Sequence, residues 1–397
     1  MQKFVDVLSR FEARQLSGLE AAEILGMSER TFRRYRLRHE ADGLDGLFDR
    51  RLGKASAKAV PVDEIEWMLE LYRTRYSGWN VKHFHEHLVA NHVFKWSYTW
   101  TKTQLHTAGL VTRAKRRGAH RRKRPRKPCV GMMLHQDGSR HAWLQGQPPL
   151  DLIVTLDDAT GEIYSAFLIG EEGTLSTFRG LSEVLAKHGL PSSLYTDRGS
   201  HYFHTPKAGG KVDKGTQTQV GRALHQLGIE HIAAYSPQAR GRSERAFSTL
   251  QDRLVKELAL AGINDIETAN RYIAETYLPA HNAGFAVPAE LPDSAFVALL
   301  HPAQLDEVLC IHEERTVDRD NTVAWKRQRL QLPPSPERAH YVKARVRVHA
   351  YADGTCAIFH GPRVIARYDS KGELTEGSSA DASVATCSPA SRRGLAA

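Results

Sequence analysis

Cysteine is scarce: Cys129, Cys310, Cys356 and Cys387 are the only four in 397 residues, and no two form a CxxC pair. Such scatter excludes a disulfide framework and a cysteine zinc knuckle. No apolar run approaches the roughly 20 residues that cross a bilayer, so no membrane partner is expected. The N-terminal MQKFVDVLSRFEARQ lacks the apolar centre of a signal peptide, and a cytoplasmic protein is the expectation. No G-x-x-x-x-G-K-[ST] occurs, which removes a P-loop ATPase, and no G-x-S-x-G elbow surrounds Ser139 or Ser200. Positive charge, by contrast, is in excess. Lys and Arg number 55 against 45 Asp and Glu, a formal +10, which suits a polyanion such as nucleic acid.

Residues 1–55 carry the first organised pattern. Ser17-Gly18-Leu19-Glu20 has the S-x-x-E form of a capping box ahead of LEAAEILG, a short helix closed by Gly26. Ser28 is placed to cap ERTFRRYRLRHEA. Two short helices around a glycine turn, the second bearing Arg30, Thr31, Arg33, Arg34 and Arg36, make a helix-turn-helix whose second helix can enter a DNA major groove. A helical hairpin with a solvated basic face is the plainer alternative.

Residues 56–112 are read as a second, winged-helix-like helix-turn-helix domain. VDEIEWMLELYRTRY sets Ile65, Met68, Leu69 and Tyr72 on one helical stripe, and further helices follow up to Gly109. The HFHEH run, His83 to His87, is read as a packed or solvated helix. A metal site is the lesser alternative, since H-E-x-x-H would need histidine where Val89 stands. Residues 113–127 form a basic linker that tracks phosphates, with Arg121, Arg122, Lys123 and Arg124 as DNA contacts.

From 128 to 300 the pattern becomes α/β. CVGMMLHQDGS reads as a buried strand ending at Asp137, and LDLIVTLDDATGEIYSAFLIG as two strands around an Asp158-Ala159-Thr160-Gly161 turn. A helix follows with Leu175, Phe178, Leu181 and Leu185 on one side, then a short strand delivering Asp197, the helix TQVGRALHQLG, the strand IEHIAAYS and a long helix. That last helix is expected to begin at Glu244 under a Ser243 cap, to bury Phe247, Leu250, Leu254 and Leu258, and to turn Arg240, Arg242 and Arg245 to DNA phosphates. The expected sheet is mixed and five-stranded, with carboxylates at strand ends. Asp157 and Asp158 are read as turn residues, Glu171 and Glu172 as carboxylates attracted to a helix N-terminus.

Residues 301–370 are read as a small β-barrel. Val342, Ala344, Val346 and Val348 alternate with Lys343, Arg345, Arg347 and His349, a half-buried strand with a basic outer face, and Asp353-Gly354 makes a hairpin. Residues 371–397, rich in Ser, Ala and Gly, read as a disordered tail.

Three stretches, HQDGSRHAWL, YTDRGSHY and SPQARGRSERAF, resemble the catalytic signatures of the integrase-core DDE transposases of bacterial insertion sequences. These are similar to retroviral integrases, and the ISNCY-type group is the nearest match. The resemblance spans most of the chain and implies an RNase H-like catalytic core at 128–300. It assigns Asp137, Asp197 and Glu244 as catalytic and metal-holding residues, with two Mg²⁺ or Mn²⁺ ions per active site. It also implies cleavage and transfer of double-stranded DNA at terminal inverted repeats and target sites, by a homodimer or larger assembly in the bacterial nucleoid. A helper protein is left open. Asp197 and Glu244 stand 244 − 197 = 47 residues apart, more than is usual in such cores, and the excess falls in HTPKAGGKVDKGT, a surface loop by composition. A non-catalytic regulator derived from a transposase is the alternative; the intact triad favours the enzyme. An RNase H cutting RNA would explain neither helix-turn-helix unit.

Overall fold

The computed structural model describes residues 1–49, 60–113, 124–207, 210–213, 215–235, 241–334 and 338–377. Arg121, Arg122, Lys123, Arg240, Cys387 and most of the expected tail lie outside the described residues. The chain divides into two compact units, residues 1–77 with 99–112 and residues 78–98 with 113–397. No helix among the described residues is long and apolar enough to cross a membrane.

In the first unit α1 (Gln2–Glu12), α2 (Gly18–Ile24) and α3 (Glu29–Asp42) close on Phe4, Val7, Leu8, Ala21, Ala22 and Phe32. The capping box forms as its spacing predicts: Ser17 Oγ accepts from the Glu20 amide, and the Glu20 carboxylate accepts from the Ser17 amide at 2.7 Å. Gly26 turns the chain between α2 and α3 at φ 67, which a side chain would resist, and Ser28 caps α3. α4 (Val62–Thr74) buries Met68 and Tyr72. α5 (Val81–Asn91) belongs to the second unit, and α6 (Tyr98–Thr107) falls almost wholly in the first.

The second unit is built on a mixed sheet of β1 (Leu134–His141), β2 (Leu150–Asp157), β3 (Ile163–Ile169), β4 (Ser193–Thr196) and β5 (Glu230–Ala233), in the order β3-β2-β1-β4-β5. The first three pair antiparallel, whereas β4 lies parallel to β1 and β5 parallel to β4. β1 does not end at Asp137. It runs on through Gly138, Ser139, Arg140 and His141, because these polar residues are carried by pairing with the fully buried β2.

Two helical layers enclose the sheet. α7 (Thr174–His188) and α8 (Gln219–Gln226) cover one face through Phe178, Leu181, Val184, Leu185, Val220 and Leu224; Leu175, expected on that stripe, is exposed. α9 (Gly241–Leu260) covers the other with Phe247, Leu250, Leu254 and Leu258 against Leu150, Leu152, Val154 and Leu156. Burying each such Leu or Phe contributes about 1.5–3 kcal/mol. The helix begins at Gly241, one turn ahead of expectation, so Ser243 is a buried residue inside it rather than its cap.

α10 (Ile266–Tyr272) continues through a π-helical turn, Ile273–Tyr277, into α11 (Leu278–Phe285). Two asparagines of this composite helix pair with the main chain of β3. Asn270 accepts from the Leu168 amide at 2.6 Å and donates to its carbonyl at 3.0 Å; Asn282 does the same with Ile163 at 3.0 and 2.8 Å.

C-terminal to this core, β6 (Ile311–Thr316), β9 (Arg345–Ala350), β10 (Cys356–His360), β11 (Arg363–Tyr368) and β12 (Leu374–Gly377) form a sheet in the order β12-β11-β10-β9-β6. A hairpin of β7 (Thr322–Trp325) and β8 (Gln328–Gln331) lays Val323, Trp325 and Leu330 against Val346, Val348 and Ile358. The expected barrel is therefore replaced, among the described residues, by an open sheet under a hairpin, since β6 and β12 have no mutual pairing. Two further expectations are corrected. Lys343 at φ 62 bends the chain, so the strand starts at Arg345, and β12 carries ordered structure past the expected end of the domain. The core holds this sheet through Gln219, which exchanges hydrogen bonds with the His312 main chain at 2.7 and 3.0 Å, and through Arg222, which donates to the carbonyls of Val308 and Cys310.

His349, expected on the outer face of β9, is buried and bonds Glu307 at 2.9 Å beside Tyr351 and Arg367. Burial alone would raise the Glu307 carboxyl, but these three hydrogen bonds outweigh it and bring it down to about 2. A carboxylate so depressed stabilises the fold above its ordinary 4.5 and ceases to do so as pH falls through 2. Thermal melts across that window should show the loss for the wild type and a flatter profile for Glu307→Gln; identical profiles would remove Glu307 from the acid response.

Candidate active site

Strand pairing alone brings the two aspartates together. Asp137 pairs with Val154, one of the residues that face α9, and directly opposed residues on paired strands share a face. On the parallel neighbour β4, Tyr195 stands opposite His135. Two residues further along both strands, Asp137 is level with Asp197, the first residue beyond β4, across a strand spacing of about 4.8 Å. Asp197 accepts the Gly199 amide at 2.8 Å, and Asp137 accepts the amide of Gly138 at 3.1 Å.

Two hydrogen bonds bring α9 alongside. Arg242 donates to Asp158, which also accepts from His135 Nε2 at 2.7 Å, and Gln251 donates to Ser139 Oγ at 2.9 Å. The helix advances about 13.5 Å from Arg242 to Gln251 and the strand about 13 Å from His135 to Ser139, so the two run in step. Glu244 falls in the interval that holds Asp137. It lies one turn ahead of Phe247 on the same helix face, exposed where the apolar stripe ends.

Two carboxylates to which the sequence assigned only local roles, Asp158 and Glu172, belong to this neighbourhood. Asp157 is indeed a turn residue, accepting from the amides of Gly131, Ala159 and Thr160. Asp158 stands in the same turn, but its fully buried side chain also gathers Arg124, Arg242, His135 and the Lys127 amide. Burial would raise its carboxyl, yet the bonds from His135 and Lys127 and the charge of Arg242 hold it well below the usual carboxylate range. Glu172 lies against Gly138, where a Cβ would come within 2.3 Å of its Oε2, and accepts from the Tyr202 hydroxyl at 3.4 Å. Burial pushes the Tyr202 phenol far up, and Glu172, Asp137 and Asp197 push it further, so one hydroxyl feels all three carboxylates.

The basic residues separate into two groups. Arg30 and Arg34 are exposed on α3, four residues apart on one face, and Arg245 is exposed beside Glu244. Arg33 pairs with Glu29 at 2.5 Å, Arg36 lies over the Phe11 ring at 5.4 Å, and Thr31 Oγ1 stands 2.9 Å from the capping Ser28 Oγ. Arg124 and Arg242, expected at phosphates, are engaged with Asp158.

Over 352 residues the chain is 32% identical to "Putative transposase y4bF" of Sinorhizobium fredii, an alignment covering 88% of this chain and 76% of that one. The chain belongs to this transposase family. The transposase is also 27% identical over 344 residues to the transposase for insertion sequence IS1202 of Streptococcus pneumoniae, covering 78% of this chain and 73% of that one. Its residues 3–63 match the winged helix-turn helix family. Among solved structures, the simian T-cell lymphotropic virus intasome aligns over 73% of the transposase and 91% of its own chain, at 14% identity and a TM-score of 0.32. The HTLV-2 integrase catalytic core domain aligns over 36% and 85%, at 16% identity and a TM-score of 0.29. Superpositions this loose transfer nothing to the site.

Proposed function

We propose that this transposase cuts and joins DNA strands at a site made by Asp137, Asp197 and Glu244. What supports the reading is a strand register that sets Asp137 level with the residue beyond β4, Asp197, on the sheet face covered by α9, whose first turn carries Glu244. Three carboxylates brought to one site would repel unless a cation lay among them, and hard carboxylate oxygens suit Mg²⁺ or Mn²⁺. Two such ions held by these side chains would supply charge stabilisation to the attacking and leaving oxygens of an in-line phosphoryl transfer. The chain's own residues do the rest. Asp158 anchors Arg242 and with it the turn that carries Glu244, while Tyr202 stays protonated and donates to Glu172 instead of adding negative charge. Arg245, exposed beside Glu244, is set to meet a DNA phosphate.

On this reading, residues 1–55 bind the terminal inverted repeats, the C-terminal sheet assists, and two or more copies bring both element ends together. Purified full-length protein with Mg²⁺ and a labelled terminal-repeat duplex should yield nicked and joined products. A duplex that is bound but left intact under these conditions would leave only a DNA-binding role. Replacing Arg30 and Arg34 together by Ala should weaken repeat binding by about 1–3 kcal/mol per lost base contact, or lower the salt slope by about one per lost phosphate contact. Anisotropy titrations across a salt series read both, and unchanged binding would remove α3 from the interface.

A further inference from the structure

We propose a second metal site, for a transition-metal ion of the Zn²⁺ class, formed by His83, His87 and Glu257. It is independent of the carboxylate triad. His83 and His87 stand four residues apart on α5, so their rings lie one above the other on one helix face. Both Nε2 atoms converge on a single oxygen, Glu257 Oε1 of α9, at 2.5 and 2.8 Å. The three ligand atoms all lie within 4.8 Å of one another. Two imidazoles and one carboxylate are a donor set that Zn²⁺ takes in tetrahedral geometry with a fourth position open.

Ring orientation separates this cluster from the other His-rich group in the same unit. The His83 and His87 rings are nearly perpendicular, at 77°, with centroids 5.1 Å apart, so their in-plane lone pairs can point at one ion. At Cys310, His312 and His349 the two rings lie almost parallel, at 7° and 3.8 Å, and lone pairs in separate parallel planes cannot share an ion. For bonds near 2.1 Å at tetrahedral angles, ligand atoms stand about 3.4 Å apart. The hydrogen-bonded cluster is therefore slightly contracted, and the Glu257 carboxylate has only to withdraw by less than about 1 Å.

The surroundings favour an ion. The nearby cations are already paired, Arg253 with Glu86 and Lys256 with Asp252. His83 is buried beneath the stacked Trp79 ring, at 4.1 Å between centroids, while His87 and Glu257 keep 16% and 15% of their side-chain surface exposed, which leaves an entry path. The Asn91 amide, 3.1 Å from His87 Nδ1, can turn to accept from the metal-bound ring. An ion here would fasten α5 to the half of α9 remote from Glu244.

The test uses the full chain carrying Glu244→Gln, so that the triad does not account for the count. After chelation and dialysis, titration with Zn²⁺ or Co²⁺ should load one ion per chain at this site. Bound Co²⁺ should show the visible absorption of a tetrahedral centre, and Zn²⁺ should raise the melting temperature. Adding Glu257→Gln keeps an oxygen that accepts from both imidazoles, so the fold is retained, but it should weaken affinity by roughly a hundredfold or more, beyond the roughly 10–100-fold typical of losses among supporting residues. His87→Ala should do the same. No bound ion in the parent, or equal affinity in the folded Glu257→Gln protein, would overturn the site.

Discussion

Replacing Glu244 by Gln should abolish strand cleavage and joining while leaving terminal-repeat binding nearly intact. The substitution keeps the size of the side chain and its ability to hydrogen-bond, and removes one negative charge. Because Glu244 is exposed on the first turn of α9, the fold loses only its favourable interaction with the helix N-terminus, about 0.3–1 kcal/mol. If this carboxylate completes a metal-holding triad, the chemical step loses several kcal/mol of charge stabilisation, about a thousandfold in rate. Single-turnover cleavage of a labelled repeat duplex reads the rate, and anisotropy reads the binding. Cleavage at more than a tenth of the wild-type rate would sink the assignment of Glu244. Asp137→Asn and Asp197→Asn should behave alike, since each removes one member of a set that acts as a unit.

The largest effect on stability is expected at Asp158. Its carboxylate is fully buried and gathers two guanidinium groups and an imidazole, so Asp158→Ala leaves the mostly buried Arg242 and the buried His135 without their partner, while Arg124 can turn to solvent. Breaking a buried ion pair from one side costs about 3–5 kcal/mol. For a domain of this size that corresponds to a fall of roughly 10 °C in melting temperature. The same change unfastens Arg242, and with it the turn bearing Glu244, so strand transfer should fall even at temperatures where the protein stays folded. Asp158→Asn, which keeps hydrogen-bond acceptance without charge, should recover part of the stability. A melting temperature within about 2 °C of wild type for Asp158→Ala would mean that Arg124 and Arg242 find other partners, and that Asp158 serves the turn alone.

That last contrast marks how far the sequence could be read. Local signals were legible because their causes are local: the Ser17–Glu20 box, the Ser28 cap, the apolar stripe of α9 and the strands before Asp137 and Asp197 are all set by residues within one or two turns. Asp158 was not, because Arg242 meets it across 84 residues and nothing near DDATG shows that an arginine will arrive. Glu172 reads as a helix-start carboxylate until Gly138 brings β1 against it. Continuation of β1 past Asp137 was hidden for a related reason, since pairing with buried β2 overrides the weak strand preference of Gly-Ser-Arg-His. In the C-terminal sheet, alternation identified β9 but not the burial of His349, which depends on Glu307 from a separate segment. The H-E-x-x-H template likewise passed over His83 and His87, whose third partner lies 170 residues beyond His87.

The paired asparagines on the composite helix bear on how copies of this protein can assemble. An edge strand with unfilled main-chain groups is a template for a strand from another molecule. At Ile163 and Leu168 that template is already filled by side-chain amides standing in for a sixth strand. A strand from a second copy would therefore meet occupied main-chain groups at both ends of β3, which turns any contact between copies away from this edge and toward side-chain surfaces.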